Sequence, residues 1–440
     1  MVEPHPGGRL KPRESVMRIV HISTSDGGGA GRAALRLHQG LLRLGHDSTM
    51  LVRDRATTNS GAREIVRGRS VIARIRRVIA VRRTAWPLAR YGFDRSTHEL
   101  FSDDRTVHGR DVPRAIPPCD VLNLHWITGF VDYRSFCSSP VARRPLVWTL
   151  HDMNPLTGGC HYDYGCGRFQ DACGRCPQLR SDDARDLSAS IHRRKRRALS
   201  ELSPDRVVFV ADSEWLAARA RQSSLLRPFP VMSIHYGLDT SLFAPGDQAA
   251  ARSALGIGPR ARVILCVAVD VAIRRKGFAE VLEAVERVRD LSDLVLIVVG
   301  SGEVGQLSVP SMVLGRVDSD ARLVDAYRAA DVFLMASLEE AFGQTALEAA
   351  SCGTPTVAFE VGGIPEIVRH CDTGLTVPRG DTAAMAGAVR CLLTQDPLRH
   401  KLAMRCRAVA VHEFALEVQA RRYESLYADL LDGDGRVAGR

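Results

Sequence analysis

Short apolar runs alternate along this chain with stretches in which apolar positions recur every three or four residues. "RIVHIS" (18–23) is a β-branched run that predicts a first strand. "TSDGGGAG" (24–31) predicts a glycine turn, 32–46 a helix, and "STMLVRD" (48–54) the next strand, which together make a β-loop-α-β unit. Further strands are expected at 120–126, 145–152 and 206–213. A second series starts near residue 261, with strands expected at 261–269, 294–300, 311–317, 331–337, 354–359 and 374–377. Buried apolar strands separated by helical segments point to parallel sheets covered on both faces. The pattern therefore predicts an α/β protein of two doubly wound domains, 17–236 and 237–410, joined through a linker at 235–245. Ligands are expected at the carboxyl ends of the strands. The polar, Pro- and Gly-rich residues 1–16 read as a disordered tail, and 411–440 as a terminal helical segment.

Composition adds limits. Of 440 residues, 45% are hydrophobic and 25% charged, enough for ordinary cores in two or three domains. No apolar run reaches the roughly 18 residues of a membrane span, and the polar opening residues lead us to expect no secretory leader. The expected setting is the cytoplasm, where thiols stay reduced. A net charge of +10 implies an anionic partner: a nucleotide, a membrane surface or a nucleic acid. Residues 63–90 carry Val71, Ile75, Val78, Ile79 and Arg82 at helical spacing in an arginine-rich setting. That pattern predicts a basic amphipathic helix on an anionic membrane, with "HRRKRR" (192–197) adding to the patch.

The most specific stretch is "ASLEEAFGQTALEAASCGTPTVAFEVGGIPEIV" (336–368). Glu340 should sit in a loop at a strand end, and Glu348 in the first two turns of a helix that begins near Gly343 or Gln344. The free N–H groups of that helix start suit a phosphate. Phe342, Gly343, Gln344 and Thr345 share this ligand-facing turn. "IRRKGF" (273–278) places Arg275 and Lys276 after the first strand of the second domain. Gly28 and Gly29 let backbone approach a ligand closely. His151 and His125 end strands of the first domain, and Asp152 follows His151, so all three are cleft candidates.

These motifs resemble the retaining glycosyltransferase family 4, whose signature is E-x₇-E with flanking L-E-A, G-x-P and G-G-x-P-E. Ser337, Glu340, Phe342, Gly343, Leu347, Glu348, Ala349, Gly353, Pro355, Gly362, Gly363, Pro365 and Glu366 match it, and Ala341 departs from a common Gly. The resemblance implies the GT-B architecture, two Rossmann-like domains across a cleft. The first would hold the acceptor and the second a nucleotide-sugar donor, with a C-terminal helix crossing back. It implies that Glu340 contacts sugar hydroxyls, Glu348 the ribose, Lys276 and Arg275 the diphosphate, and His151 the donor sugar. The leaving diphosphate needs positive charge on its oxygens. An arginine that many members place after the first strand of the donor domain is missing at Val269 and Asp270, unless Arg274 replaces it. Catalysis is expected to need no cofactor, since no D-x-D pair stands ready for a divalent ion. The wording of the first domain resembles a bacterial subgroup that builds exopolysaccharide, colanic-acid-like or O-antigen glycans. The implied reaction moves a hexose from a UDP- or GDP-sugar to a lipid-linked or polysaccharide acceptor.

"CHYDYGCGRFQDACGRC" holds Cys160, Cys166, Cys173 and Cys176 within a loop at 158–180. Four thiolates would fill a tetrahedral structural zinc site, with His161 as a spare ligand. Disulfides and free thiols are the alternatives. Two other functions compete: a zinc-binding basic nucleic-acid module, disfavoured by 6% aromatic residues and no RNA-binding motif, and a non-catalytic nucleotide-sugar-binding protein.

Overall fold

The structure, a computed structural model, describes residues 16–57, 60–65, 87–91, 100–317 and 319–433. The expected tail and the heart of the basic segment at 63–90 lie outside these residues. Among the described residues no helix is long and apolar enough to cross a membrane.

Two parallel sheets form. The first takes β1 (Arg18–Ser25), β2 (Asp47–Asp54), β3 (Arg63–Glu64), β4 (Val121–Leu124), β5 (Leu146–Leu150), β6 (Val207–Ala211) and β7 (Val231–Ser233) in the order β3-β2-β1-β4-β5-β6-β7. The second takes β8 (Arg262–Asp270), β9 (Leu294–Ser301), β10 (Ser311–Gly315), β11 (Val332–Met335), β12 (Thr356–Phe359) and β13 (Gly374–Val377) in the order β10-β9-β8-β11-β12-β13. Strand order reverses between β1 and β4 and between β8 and β11. In such sheets the crevice opens there, at the strands' carboxyl ends. The central strands are buried along their length, as β4, β5, β6, β11 and β12 show, which is why their sequences are mostly apolar.

Two expectations are corrected, and two unexpected strands are added. The glycine turn at 24–31 is half helix: Gly28–Arg43 is helical, so Gly28 and Gly29 form its first turn. The two short edge strands β3 and β7 have too few residues to show a period. The linker is half of a paired crossing. Leu238 donates its N–H to Phe414 O at 2.9 Å, and Leu416 donates to Leu238 O at 2.9 Å. The helix Asp396–Phe414 therefore stays with the second domain, and the crossing falls at Ala415 rather than at 411. A side chain at Gly237 would come within 2.8 Å of Leu416 Cα, so only glycine lets the two crossing segments pack.

The following helix, Leu416–Leu431, docks on the first domain. Tyr423, Leu426 and Tyr427 bury against Ile19, Leu37, Leu41 and Val208. Its hydroxyls reach into the sheet: Asn123 Nδ2 donates to Tyr427 Oη at 2.8 Å, and Thr149 Oγ1 lies 3.0 Å from Tyr423 Oη. The run "HRRKRR" is divided: Arg193, Arg196 and Arg197 are exposed, as a basic patch needs, and the rest turns inward. His192 and Lys195 are buried, Lys195 Nζ donates to Thr157 O at 3.2 Å, and Arg194 pairs with Asp104 at 2.6 Å. Tyr427→Phe leaves the buried Asn123 amide without its acceptor and should cost about 1–3 kcal/mol in denaturant unfolding, whereas an unchanged midpoint would contradict this docking.

Candidate active site

Both domains contribute to one cleft cavity of about 360 Å³, within the range of small-molecule sites. It is lined by Gly27–Gly31 from the first domain and by Gly343, Gln344 and Thr345 from the second, together with Lys276, Arg275 and Glu340. Two helices thus begin at this cavity, Gly28–Arg43 and Gln344–Ser351, and neither has a side-chain cap on its first N–H groups. Gly343 stands at φ +108° to turn the chain into the second helix. Gln344 Nε2 donates to Gly29 O at 2.9 Å and joins the two starts. Positive helix ends and open N–H groups on one cavity make an anion site.

Glu340 lies in the loop after β11, as expected, and is buried. Its Oε2 accepts from Lys276 Nζ at 2.6 Å and stands 3.8 Å from Arg275 Nη1. Burial pushes its carboxyl up, but the charges of Lys276 and Arg275 and hydrogen bonds from Lys276 and Ser337 prevail and hold it below the usual range. Arg275 packs over the Tyr162 ring at 4.4 Å. Arg274 does not replace the missing arginine: it pairs with Glu280 at 2.5 Å on the surface. Glu348 lies in the expected helix turn but is engaged outside the cavity lining, accepting from Arg36 Nη2 at 2.8 Å and Tyr327 Oη at 3.1 Å.

The G-G-x-P-E part of the motif serves contact between the domains. A Cβ at Gly362 would sit 1.7 Å from Glu340 O, and one at Gly363 2.8 Å from Ser213 Cβ. Ser213 Oγ donates to Ala341 O at 2.7 Å. Glu366 accepts the N–H groups of Glu214 and Trp215 at 3.0 and 3.1 Å, capping the first-domain helix Glu214–Gln222. Phe342 packs against Tyr236 and Phe414 at the same junction.

His151 reaches the cavity, but both of its ring nitrogens are taken. Nε2 lies 3.0 Å from His125 Nδ1, and Nδ1 bonds Tyr236 Oη. His125 does not line the cavity; it is buried between His151 and His21, whose Nδ1 lies 2.9 Å from His125 Nε2. Burial lowers all three imidazoles, His151 to about 4, so they are neutral. Asp152 accepts from His161 Nδ1 at 2.6 Å, Trp126 Nε1 at 2.8 Å and Asn154 N at 2.8 Å. Burial raises its carboxyl, and His161 together with the hydrogen bonds from Asn154 and Trp126 more than offsets this, so it stays ionised as a brace for the loop rather than as a free base.

The four cysteines of that loop, free of disulfides, line one small cavity of about 20 Å³. Gly158 N donates to Cys173 Sγ at 3.2 Å. Gly174, at φ +140°, carries the chain past Ala184 O, where a Cβ would stand at 2.4 Å. Among the described residues, no three His, Cys, Asp or Glu side chains are arranged to hold a metal ion. His161 is no spare ligand, since its Nε2 lies 2.8 Å from Ser102 Oγ and its Nδ1 serves Asp152.

Sequence reasoning missed Arg36, Tyr162, Tyr236 and Asp212. Asp212 had a signal, an acid ending an apolar strand at the cleft edge. Tyr236 lay in what read as linker, and Arg36 pairs across 312 residues of chain.

Residues 261–395 match the family model described as "Glycosyl transferases group 1". D-inositol 3-phosphate glycosyltransferase of Mycobacterium sp. (strain JLS) is 35% identical over 184 residues, 39% of this chain and 41% of that protein. N-acetyl-alpha-D-glucosaminyl L-malate synthase of Bacillus anthracis is 28% identical over 219 residues, 47% of this chain and 56% of that protein. The chain thus spans roughly half the length of these curated relatives or less. Anabaena Alr3699/HepE in complex with UDP-glucose superposes with a TM-score of 0.62 at 16% identity, covering 94% of this chain and all of that one. Sucrose-phosphate synthase from Thermosynechococcus elongatus gives 0.63 at 19%, covering 94% and 99%. Gly362→Ala should displace the Glu340 carbonyl, lowering the melting temperature and ligand affinity together; a variant that melts and binds as wild type would refute the close approach. The fold of this chain is GT-B, and its second domain carries the group 1 glycosyl transferase match.

Proposed function

We propose that the protein is a retaining glycosyltransferase that moves a hexose from a UDP- or GDP-sugar to an acceptor held by the first domain. The observation that carries this reading is the shared cavity in which Lys276, Arg275 and two helix starts surround Glu340. The diphosphate would lie between the cations and the helix N–H groups, which stabilise the charge that grows as the glycosidic bond breaks. Glu340, kept ionised by Lys276, would accept hydrogen bonds from the sugar hydroxyls. A ribose reaching Glu348 would compete with Arg36 for it. His151 would act through its backbone and through Tyr236, because its ring nitrogens are already bonded.

A lipid-linked or polysaccharide acceptor and an anionic membrane surface belong to this reading, supported by the net charge of +10 and the arginines of 63–90. The names of the relatives point instead to inositol 3-phosphate and malate as acceptors. The family match ends short of the first domain, so acceptor chemistry does not transfer with it. Nucleotide sugars are to be screened for thermal stabilisation and for donor hydrolysis. Lys276→Ala should weaken UDP or GDP binding by about 1.5–3 kcal/mol, roughly ten- to a hundredfold. Glu340→Gln should cut turnover with little change in melting. Undiminished binding by the first variant, or full transfer by the second, would remove that residue from the role.

The reading includes a structural zinc at Cys160, Cys166, Cys173 and Cys176. Burial pushes the Cys160, Cys173 and Cys176 thiols up, Cys173 to about 11, so without a cation these three are neutral. An ion would draw them from the cavity wall onto a common centre and supply the charge that thiolates need. Purification without chelator should yield about one zinc per chain, and Cys173→Ser should lose it together with stability. Metal-free, fully active protein with four titratable thiols would end this idea.

A further inference from the structure

A hydrogen-bonded row crosses the first sheet beneath the cleft, from His21 on β1 through His125 after β4 and His151 after β5 to Tyr236, whose hydroxyl acts in turn on Asp212 after β6. The row has a direction. Its far end, His21 Nε2, is buried without a hydrogen-bond partner. An unpaired lone pair costs less there than an unpaired N–H. His21 therefore carries its proton on Nδ1 and donates to His125, which donates to His151, which donates to Tyr236 Oη. The Tyr236 hydroxyl proton is then left for Asp212.

Asp212 sits at the cleft end of this row. It is 1% exposed and lines the cavity of the candidate site. No arginine or lysine among the described residues forms an ion pair with it. The groups that face it are Tyr236 from the crossing, Glu340 and Glu366 from the second domain, Tyr162 from the cysteine loop, Tyr423 from the C-terminal helix, and the Ser213 hydroxyl. Two of these are acids and none is a cation. Ser213 has one hydroxyl proton, and the 2.7 Å contact with Ala341 O takes it ahead of the 3.3 Å contact with Asp212. Neutral imidazoles cannot lend the carboxylate a charge. Burial, which outweighs its hydrogen bonds from Tyr236 and Ser213, accordingly pushes the Asp212 carboxyl up to about 8, with repulsion from Glu340 and Glu366 adding to it.

Resting on the nucleotide-sugar reading, we propose that Asp212 is kept as a neutral carboxylic acid which donates its proton in a hydrogen bond to an oxygen of the bound donor. A carboxylate in this wall would repel a diphosphate, whereas the acid form attracts it. Burial without a cation keeps the acid form, and the His21–His125–His151–Tyr236 row, with its hydroxyl proton directed at one carboxyl oxygen, leaves the acid proton to the other oxygen and the cavity. Asp212 thus binds the donor rather than serving as a base.

The test uses Asp212→Asn, which is neutral, of the same shape and still a hydrogen-bond donor. Difference infrared spectra of the wild type should show a protonated carboxyl band at neutral pH that fades through about pH 8 and is absent from the variant. UDP affinity, by calorimetry, should fall about fourfold in the wild type between about pH 7 and 8.5, as a group titrating near 8 is lost. The variant, a neutral donor at every pH, should show no such fall, its affinity staying level from about pH 7 to 8.5. Lys195, lowered to about 8 by burial, is tied to the carbonyls of Asn154 and Thr157 away from the cavity, so the variant rather than the wild-type slope identifies the group. Absence of the acid band, a pH-independent wild-type affinity, or a folded variant that no longer binds UDP at pH 7 would each overturn the proposal. UDP bound with level affinity leaves the nucleotide-sugar reading standing, whereas no UDP binding at any pH overturns both.

Discussion

A carboxylate buried in a cleft wall keeps its charge only where cations replace the lost water. Glu340 meets that condition through Lys276 and Arg275, and much of the second domain is arranged to supply them. Gly277, at φ +69°, brings their turn against Ala336 O, where a Cβ would stand at 1.7 Å. Leu338 N donates to Arg275 O at 2.8 Å and ties the two loops together. Gly362 lets the next segment press on the Glu340 carbonyl from the other side. An arriving anion need not break the Lys276–Glu340 pair, since an ammonium group has three donors and a guanidinium five.

The same cleft joins the domains. Two helix starts end on one cavity, and their partial positive charges favour an anion between them. The domains are held there by Glu366 on the helix Glu214–Gln222, by Ser213 on Ala341 and by Arg36 on Glu348. The paired crossing at Leu238 and Ala415 lies behind them. Substrate contacts and domain contacts therefore share residues: Glu348 faces Arg36, and the loop of Glu340 carries Ala341.

Across the cleft the first domain offers few free charges. Asp152 is spent on three donors, His151 on two partners, and Lys195 on backbone carbonyls. The cysteine loop hangs from Asp152 through His161 and carries Tyr162 to Arg275. His161 and Tyr162 of this loop also line the cleft cavity itself.

Local pattern alone determined the two α/β domains, the central strands, the helix after Gly343 and the placement of Glu340, Lys276 and Arg275. Each depends on neighbours in sequence: a buried strand is a continuous apolar run, and a helix start follows its glycine. The edge strands β3 and β7, the crossing at Ala415 and the burial of Lys195 and His192 depend on partners far along the chain, so no local period reports them. The site divides in the same way. That His151 has no free nitrogen, that Arg36 holds Glu348 and that Asp212 forms no ion pair among the described residues were decided by tertiary structure. Burial and pairing set the charge of a side chain, and both are made by residues that the sequence keeps far apart.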